Sequence, residues 1–489
     1  MNHQWTGQHI AFHAAERPDA VAIVDDGRAI TYQQLNRNLA SLTMALRELG
    51  LPPGATAAVG CKNIYIHWLL LLGLERLGIA TTSLLDHEGR NSRPLLASAD
   101  LVISEQALPA EWTRRHHPIT SAWLERALAL EPKNESETLP RGPDDCIRIL
   151  RTSGTTGVYK RVRMPRQMFD IWVNAWIWFH GLSKHSRFLI TMPFTVAGSY
   201  IHATACLRAG GTIISETRAA PAEALSNHGI THVILVPIHL ANVLNHLPAD
   251  YLKPTDLVIS SFGAPVSAAL RQRAINRLAR DVKDMYGTNE VGFVATTSGD
   301  SGKGLAAIWP GVEVEIVDEH DVPLPRAQAG RVRIKTDCMA SGYIDDPETT
   351  RRMFKDGWFY PGDIGVLHGP RCLQIVGRSD ELLNIGGTKL APGAIEDLLM
   401  SNGVATEVAV CSIPNRDGIE ELCIAVPVDN TDNSTLLKRF ELALGRLQIG
   451  HFHVVRVGRI PRTGTGKIQR NLLKDEIAGA VAPRTPPKV

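Results

Sequence analysis

The sequence lacks the cysteine patterns that disulfide frameworks and structural metal sites require. Its 489 residues include seven cysteines, at positions 61, 146, 206, 338, 372, 411 and 423, and none of them forms a C-x-x-C pair. Disulfides form in oxidising compartments, and a disulfide framework needs an even set of cysteines. The scattered, odd count therefore predicts reduced, mostly structural thiols and a cytoplasmic location.

Excess charge of one sign and long apolar runs are also absent. Lys and Arg number 52 against 50 Asp and Glu, and a net charge of +2 gives no support for a nucleic-acid partner. The most apolar window, Trp68 to Leu85, is interrupted by Glu75 and Arg76, which predicts a buried helix and no membrane span. The first ten residues lack a basic stretch followed by an apolar one, so we expect no signal peptide.

What the sequence does contain is an alternation of helix and strand patterns. The chain is 44% hydrophobic and 21% charged, which is ordinary for globular proteins, and 489 residues predict more than one domain. Residues 31–50 carry leucines every three or four positions behind a capping pair, Thr31 and Gln34, and a strand-like segment from Ala55 to Val59 follows. This order predicts an α/β fold with parallel sheets covered by helices.

A loop of small residues follows an apolar, strand-like run that ends at Leu150. After Arg151 the loop contains only threonine, serine and glycine, and a lysine, Lys160, comes shortly behind it: Thr152, Ser153, Gly154, Thr155, Thr156 and Gly157. Backbone N–H groups of such a loop can approach an anion closely, and the lysine adds a positive charge for a polyphosphate. The spacing matches neither Walker A nor the dinucleotide fingerprint. A plain surface linker is the alternative, which the preceding strand-like run disfavours.

This loop resembles the signature loop of the acyl-adenylate-forming (AMP-binding) superfamily, which includes acyl- and aryl-CoA synthetases. Further segments of residues 30–470 match that family in order, and they contain Phe194, Gly263-Ala264-Pro265, Tyr286 to Glu290, Asp363, Arg378-Ser379-Asp380, Gly386-Gly387 and Lys467. The resemblance implies a large N-terminal domain of helix-covered β-sheets, residues 1–378. It also implies a small, mobile α+β domain, residues 379–489, that carries the catalytic lysine.

The resemblance implies a site for ATP and Mg²⁺. Thr152, the small-residue loop and Lys160 would grip the phosphates, and Glu290 would ligate the metal ion. The adenosine would be held by the ring of Tyr286, by Gly287 and by the turn Gly263-Ala264-Pro265, with Asp363 accepting both ribose hydroxyls. Asn289 replaces the usual threonine near the α-phosphate. Catalytic roles are implied for Lys467, Glu290, Thr152 and Arg378.

The acid pocket is predicted from Trp172, Trp176, Phe194, Thr195, Val236 and Phe262. Core packing is the favoured interpretation of the two tryptophans, and a pocket wall is the alternative. Thr195 stands where relatives place a histidine or an aspartate. Because a buried ammonium without a carboxylate partner is costly, an α-amino acid is disfavoured, and we expect an apolar or aryl acid.

The implied reaction is acid activation by ATP with release of pyrophosphate, then transfer to a thiol. Coenzyme A is the expected thiol, entering beside Gly386 and Gly387 once the small domain rotates about Asp380. A carrier-protein pantetheine or an amine is the alternative acceptor, and an inactive nucleotide-binding protein is the alternative from another class. The inactive alternative rests on four positions where the sequence departs from the family's motifs: Tyr159, Thr195, Asn289 and Pro361. No carrier domain follows Arg470, so we expect a free-standing enzyme; the acid and the oligomeric state stay open.

Overall fold

Two large β-sheets with helices packed against them form the greater part of the protein. The computed structural model describes residues 5–84, 93–132, 142–152, 159–248, 250–297, 304–385, 388–401, 405, 407–414, 420–428, 433–444, 452–463 and 466–481. The helices in these ranges are α1 (Thr6–Glu16), α2 (Tyr32–Arg47), α3 (Ile64–Arg76), α4 (Arg93–Ser98), α5 (Ser121–Ala129), α6 (Arg166–His180), α7 (Ala197–Arg208), α8 (Pro221–Asn227), α9 (Pro237–Asn245), α10 (Ala268–Arg277), α11 (Pro347–Met353), α12 (Pro392–Ser401), α13 (Asn433–Leu444) and α14 (Arg470–Val481).

The strands of the same ranges begin and end as follows: β1 (Val21–Asp25), β2 (Arg28–Thr31), β3 (Thr56–Gly60), β4 (Ala80–Ser83), β5 (Leu101–Ser104), β6 (His116–Pro118), β7 (Cys146–Thr152), β8 (Lys160–Pro165), β9 (Arg187–Ile190), β10 (Thr212–Ser215), β11 (His232–Ile234), β12 (Val258–Ser261), β13 (Asp281–Thr288), β14 (Gly292–Thr297), β15 (Ala306–Ile308), β16 (Val312–Val317), β17 (Gly330–Thr336), β18 (Phe354–Lys355), β19 (Trp358–Phe359), β20 (Asp363–Gly369), β21 (Cys372–Arg378), β22 (Leu383–Ile385), β23 (Thr388–Leu390), β24 (Ala409–Pro414), β25 (Glu420–Pro427) and β26 (Phe452–Val457).

The larger sheet combines a parallel half with an antiparallel half. Strands β13, β12, β11, β9, β10 and β1 lie side by side in parallel, and β2 closes that edge antiparallel to β1. On the other side of β13, strands β14, β15, β21, β20 and β17 pair antiparallel. The expectation of parallel sheets is therefore confirmed for the first half and wrong for the second. Two-residue connections such as the one between β20 and β21 can join only antiparallel neighbours.

The second sheet has the strand order β6-β5-β3-β4-β7-β8. All its neighbours pair in parallel except β7 and β8, which form an antiparallel hairpin. Apolar residues of both sheets and of α2, α3, α6 and α7 belong to one continuous core. This hairpin is the element that carries the predicted phosphate loop.

Helix α2 forms where the leucine repeat predicts it. Thr31 Oγ1 accepts a hydrogen bond from the Gln34 N–H at 3.2 Å, and Gln34 Oε1 accepts one from the Thr31 N–H at 2.9 Å. The predicted capping pair is thus confirmed. The apolar window from Trp68 onward lies mainly in α3, which is buried as expected. In the described part of the chain no helix combines the length and the apolar character that crossing a membrane requires.

A separate three-stranded sheet follows the last strand of the large one. Strand β21 ends at Arg378, and β24, β25 and β26 then form a sheet with its own apolar clusters. Alternate residues of β24 point to opposite faces, so Val410 packs with α12 and α13 while Cys411 packs with α14. Helix α12 also contacts α10 and β21 of the larger part. We place the proposed domain boundary between residues 378 and 379, where the two sheets part.

The contact of α12 with the larger part predicts a pH-dependent stability. The pKa of Asp397 is raised to about 7, first by burial and then by the nearby carboxylates of Glu396 and of Asp284 in β13. Because the folded-state pKa exceeds that of the unfolded chain, this carboxyl's contribution to stability is complete below about pH 4. It is lost as the pH rises through about 7. Asp397→Asn should therefore raise Tm relative to the wild type at about pH 8 and leave it nearly equal at about pH 4.

Differential scanning fluorimetry across this pH range measures both proteins. The exposed Asp475, on α14, supplies the matched control, Asp475→Asn. A Tm difference for Asp397→Asn that stays the same at both ends of the pH range would show that the carboxylate repulsion is absent.

Candidate functional site

The β7–β8 hairpin brings two predicted phosphate ligands together. Thr152, the last residue of β7, lies opposite Lys160, the first residue of β8. The loop that joins them contains Ser153, Gly154, Thr155, Thr156 and Gly157, which lie outside the described residues. The phosphate role of those five residues stays a prediction.

Lys160 lies beside a tyrosine that holds the predicted metal ligand. Its ammonium is 5.0 Å from the centre of the Tyr343 ring, and burial is the largest influence lowering the pKa of Lys160. The Tyr343 hydroxyl donates a hydrogen bond to Oε1 of the buried Glu290 at 2.8 Å. Burial, followed by the charge of Glu290, raises the pKa of Tyr343 above its usual range, so the phenol stays a donor. Glu290 is therefore fixed next to the hairpin lysine.

The turn between β13 and β14 is attached to the phosphate strand. Asn289 Nδ2 donates a hydrogen bond to the carbonyl oxygen of Arg151 at 2.9 Å. At Gly287 a Cβ would lie 2.4 Å from the carbonyl oxygen of Gly292, so the close approach of the two strands requires glycine there. The Asn289 amide, which replaces the usual threonine, is thus bonded to β7. It lies two residues after Gly287 and three before Gly292.

Asp363 is the most constrained carboxylate of the site. The Tyr286 hydroxyl donates a hydrogen bond to its Oδ2 at 2.5 Å, and Arg378 Nη1 lies 3.5 Å from its Oδ1. Burial raises the pKa of Asp363, while the Tyr286 hydrogen bond and the charges of Arg378 and Lys467 oppose that shift. The predicted adenine-binding ring and the predicted ribose carboxylate are therefore in direct contact.

The turn after β12 lies at the carboxyl end of the parallel strands. Gly263 has a φ of +89°, a left-handed conformation that favours glycine. The ring of Phe262 covers Gly198, where a Cβ would lie 2.8 Å from Phe262 Cε1. Ala264 and Pro265 follow in the same turn. Ligands of α/β sheets bind at this end of the strands, which fits the predicted adenine contact.

Lys467 reaches the same place from the small sheet. Gly466 has a φ of +81°, and a Cβ there would lie 3.1 Å from Ile238 Cγ2 and 3.4 Å from Val236 Cγ2. Lys467 is exposed, and its charge is one of the influences that lower the pKa of Asp363. The lysine loop thus packs against the start of α9, beside a residue of the predicted acid pocket.

The predicted hinge and thiol tunnel follow directly after β21. Arg378 Nε donates a hydrogen bond to Asp380 Oδ1 at 2.9 Å, so Arg378 contacts both Asp363 and the hinge residue. Gly386 and Gly387 lie outside the described residues, between the paired strands β22 and β23. Their place in a thiol tunnel stays a prediction.

Most residues of the predicted acid pocket are buried. Trp172 and Trp176 belong to the hydrophobic core, in agreement with the favoured interpretation of these two residues. The Trp172 ring covers Gly292. Phe194 packs against the helix that contains Trp68, with ring centroids 5.3 Å apart. Thr195 is half-buried, directly after Phe194. Val236 and Phe262 lie near the lysine loop and the adenine-side turn, as described above.

Two residues near the site had no predicted role. Besides Tyr343, the structure reveals Arg148, which is buried in β7 and donates to the carbonyl oxygen of Phe194 at 3.1 Å and to Ser83 Oγ at 3.0 Å. Its guanidinium lies 4.0 Å from the centre of the Tyr200 ring. A lone arginine inside the apolar run that precedes the loop was the available signal. Gly342-Tyr343 matches the family in order, but nothing in the sequence indicated that Tyr343 pairs with Glu290, which is distant along the chain.

A model of the AMP-binding enzyme family matches residues 10–344. The chain belongs to this family. The fatty acid–[acyl-carrier-protein] ligase ScoC of Streptomyces coeruleorubidus is 26% identical over 96% of each chain. A feruloyl-CoA synthase of an Amycolatopsis species is 27% identical over 98% of this chain and 99% of its own. The solved amide bond synthetase McbA of Marinactinospora thermotolerans has the same fold, with a TM-score of 0.81 at 22% identity, covering 96% of this chain and 99% of its own.

For this AMP-binding enzyme the Tyr286–Asp363 contact predicts a pH-dependent loss of nucleotide affinity. In Tyr286→Phe the hydrogen bond that lowers the pKa of Asp363 is gone, so the carboxyl protonates at higher pH. Only the carboxylate accepts two ribose hydroxyls. We expect AMP affinity to fall about tenfold near pH 6, the equivalent of ~1.4 kcal/mol, and less near pH 8.

Isothermal titration calorimetry with AMP measures the effect. Tyr343→Phe is the matched variant, because it removes the corresponding hydroxyl from Glu290. It should shift the Mg²⁺ dependence of ATP binding more than the affinity for AMP. Equal losses of AMP affinity in the two variants would contradict the separate assignments of Asp363 and Glu290.

Proposed function

We propose that this enzyme activates a carboxylic acid with ATP, releases pyrophosphate and transfers the acyl group from the adenylate to coenzyme A. The observation that carries the proposal is the packing of Gly466, next to Lys467, against Ile238 and Val236 of the larger part, which brings the charge of Lys467 within range of the Asp363, Tyr286 and Arg378 cluster. The names of ScoC and of the feruloyl-CoA synthase, which describe ligation of an acid to a thiol, support it.

The first half-reaction must join two anions. The acid's carboxylate attacks the α-phosphorus of ATP, and the bond to pyrophosphate breaks. Lys467 stands on a glycine-containing loop where its ammonium can face the carboxylate and the α-phosphate together, which lowers their repulsion and stabilises the charge of the transition state. Lys160 and Thr152 would hold the β- and γ-phosphates from the hairpin.

The residues present fit a Mg²⁺ ion that arrives with ATP. In the described ranges no group of three or more His, Cys, Asp or Glu side chains could hold a metal by itself. Mg²⁺ is commonly bound by one or two carboxylates together with phosphate oxygens and water, and Glu290 supplies one oriented carboxylate beside the hairpin. When bound, the ion would offset the negative charge of the phosphates.

The position of Thr195 favours an acid without an ammonium group. An α-amino acid would need a carboxylate at its amine, and the half-buried Thr195 offers only a hydroxyl. Phe194, directly before it, is held by the Arg148 hydrogen bond to its carbonyl oxygen. The Phe194-Thr195 segment is therefore fixed by the buried Arg148, and Thr195 itself carries no charge.

The second half-reaction would need Lys467 to leave the acyl carbon. We propose that residues 379–489 rotate about Asp380, which is exposed and is held by Arg378 in the present arrangement. The thiolate of coenzyme A, ionised in solution, then attacks the acyl carbon, and AMP departs with the electrons of the acyl carbon–oxygen bond. The proposed tunnel at Gly386 and Gly387 would guide the thiol.

Two other acceptors are candidates because the names of two relatives refer to them. ScoC is named as a ligase for an acyl carrier protein, and McbA as an amide bond synthetase. The pantetheine of a carrier protein and an amine are therefore the alternatives to coenzyme A. Reactions with these two acceptors would share the adenylation step with the coenzyme A reaction. They would differ only in the nucleophile that attacks the adenylate.

The contacts of the residues that depart from the family pattern weigh against an inactive nucleotide-binding protein. Asn289 bonds to Arg151, and the carbonyl oxygen of Pro361 accepts a hydrogen bond from Arg378 at 3.2 Å. The ring of Tyr159 lies 5.2 Å from the Arg151 guanidinium. These departures thus make defined contacts, and the charged residues assigned to catalysis are all present.

The proposal is tested by measuring pyrophosphate release from MgATP with a panel of aryl, short-chain, long-chain and amino acids. Each acid is assayed with and without coenzyme A. We expect one acid class to drive release and coenzyme A to accelerate it. Lys467→Ala should lower the rate at least a hundredfold, since it removes the one cation positioned for both reactants. Lys438→Ala, at an exposed site on α13, is the matched control.

Each outcome separates the candidates. Release that is indifferent to coenzyme A moves the second step to a carrier protein or an amine. Bound ATP without acid-dependent release by any acid would refute the ligase and support the inactive alternative.

A further inference from the structure

A column of aromatic rings runs from the site into the core. Trp172, Trp176 and His180 follow one another at intervals of four residues, so they share one face of α6. The Trp176 ring lies 4.2 Å from Phe293, 4.4 Å from His180 and 4.5 Å from His202 of α7, measured between ring centroids. The column is therefore built by two helices and one strand of the large sheet.

This column contains an unusual concentration of polar atoms without partners. In the described part of the chain, Nε1 of Trp172, Nε1 of Trp176, Nε2 of His180 and both ring nitrogens of His202 are buried and accept or donate no hydrogen bond. All four side chains are more than nine-tenths buried. Buried polar groups are nearly always satisfied, because leaving one unsatisfied costs its full desolvation penalty. Five such atoms in one place indicate a missing polar partner.

The column starts at the catalytic site. A Cβ on Gly292 would lie 2.3 Å from Nε1 of Trp172, and Gly292 follows Glu290 by two residues. Helix α7, which carries His202, begins at Ala197, two residues after Thr195. Both walls of the column therefore originate beside residues assigned to the phosphates and to the acid.

The column offers hydrogen bonds but no charge. Burial holds the pKa of His180 and of His202 well below the usual range, so both rings are neutral near pH 7. His202 offers one N–H and one lone pair, whereas Nδ1 of His180 already contacts Ser260 Oγ at 3.4 Å, so His180 offers only Nε2. Of the titratable groups on neighbouring elements that act on these two rings, Lys283 is a cation, whereas burial lowers the pKa of His232 to about 4; no carboxylate is among them. The Lys283 ammonium donates to the carbonyl oxygen of Phe179 at 2.7 Å. With the indole N–H groups added, donors outnumber acceptors.

We propose that the acid used by this enzyme carries an uncharged oxygen substituent, a hydroxyl or keto group, at the end remote from its carboxylate, and that His202 and Trp176 bind it. This inference rests on the proposed function and deepens it. An ammonium would find no anion in the column, and a second carboxylate would have only Lys283, whose ammonium already bonds to the Phe179 carbonyl oxygen. An unsubstituted hydrocarbon chain or ring would leave the five nitrogens unsatisfied.

Matched pairs of acids test this specificity: benzoic with 4-hydroxybenzoic acid, cinnamic with 4-hydroxycinnamic acid, and octanoic with 7-oxo-octanoic acid. The readout is the ratio of kcat/KM for pyrophosphate release within each pair. We expect the wild type to favour the oxygenated member of at least one pair by tenfold or more, since polar sites strongly reject analogues that leave their groups unpaired. Equal use of both members in every pair would overturn the inference.

The key variant is His202→Phe. The His202 ring stacks on Phe188 with planes 10° apart, so phenylalanine keeps the packing and removes both nitrogens. The preference should collapse to a ratio of about one, whereas His185→Phe, at an exposed position after α6, should keep the wild-type ratio. If His202→Phe does not fold, Trp176→Phe removes the neighbouring N–H and should lower the ratio as well. A preference that survives in these variants refutes the assignment.

Failure of the proposed function is distinguishable from failure of this inference. If no acid drives pyrophosphate release, the ligase proposal fails, and quenching of tryptophan fluorescence then reports acid binding directly. Tighter binding of the oxygenated acid, lost in His202→Phe, would still support the column as its site. Equal binding of both members, or no binding of either, would overturn it and leave internal water as the partner of the nitrogens.

Discussion

The site depends on one buried carboxylate with partners from distant parts of the chain. Asp363 begins β20, and it is held by a hydroxyl from β13, by a guanidinium at the end of β21 and by the field of Lys467 from the small sheet. A buried carboxylate is tolerated only when such donors compensate for its lost hydration. In the proposed nucleotide complex the same carboxylate would accept the ribose hydroxyls, so stability and nucleotide recognition would depend on one cluster.

A second buried charge joins the two large sheets. Arg148 lies in β7 of the smaller of these sheets and donates to the segment that follows β9 of the larger one. It also bonds to Ser83 of β4, so its guanidinium connects the phosphate hairpin with the acid segment. Relative motion of these two substrate regions would leave this cation without partners in a low-dielectric interior. The large part can therefore serve as a rigid frame for the rotation that we propose for residues 379–489.

Local patterns could be predicted from the sequence, and distant pairings could not. The capping of α2 by Thr31 and Gln34 involves residues three apart, so its signal is complete within one turn. The family resemblance identified Glu290 and Asp363, but nothing in the sequence paired them with Tyr343 and Tyr286. Such pairs are fixed by strand register and burial across the sheet. The antiparallel half of the large sheet was missed for the same reason, because pairing order is a tertiary property.

The central claim is that the acid's carboxylate attacks the α-phosphorus of ATP at the cluster around Asp363 and Lys467. An active acid with both carboxylate oxygens replaced by heavy oxygen tests it most directly, by mass spectrometry of the AMP formed after transfer to the acceptor. The account predicts one heavy oxygen in each AMP and none in pyrophosphate, and AMP formation at least a hundredfold slower in Lys467→Ala. AMP without the label would show that the carboxylate does not attack the α-phosphorus, and would contradict the account.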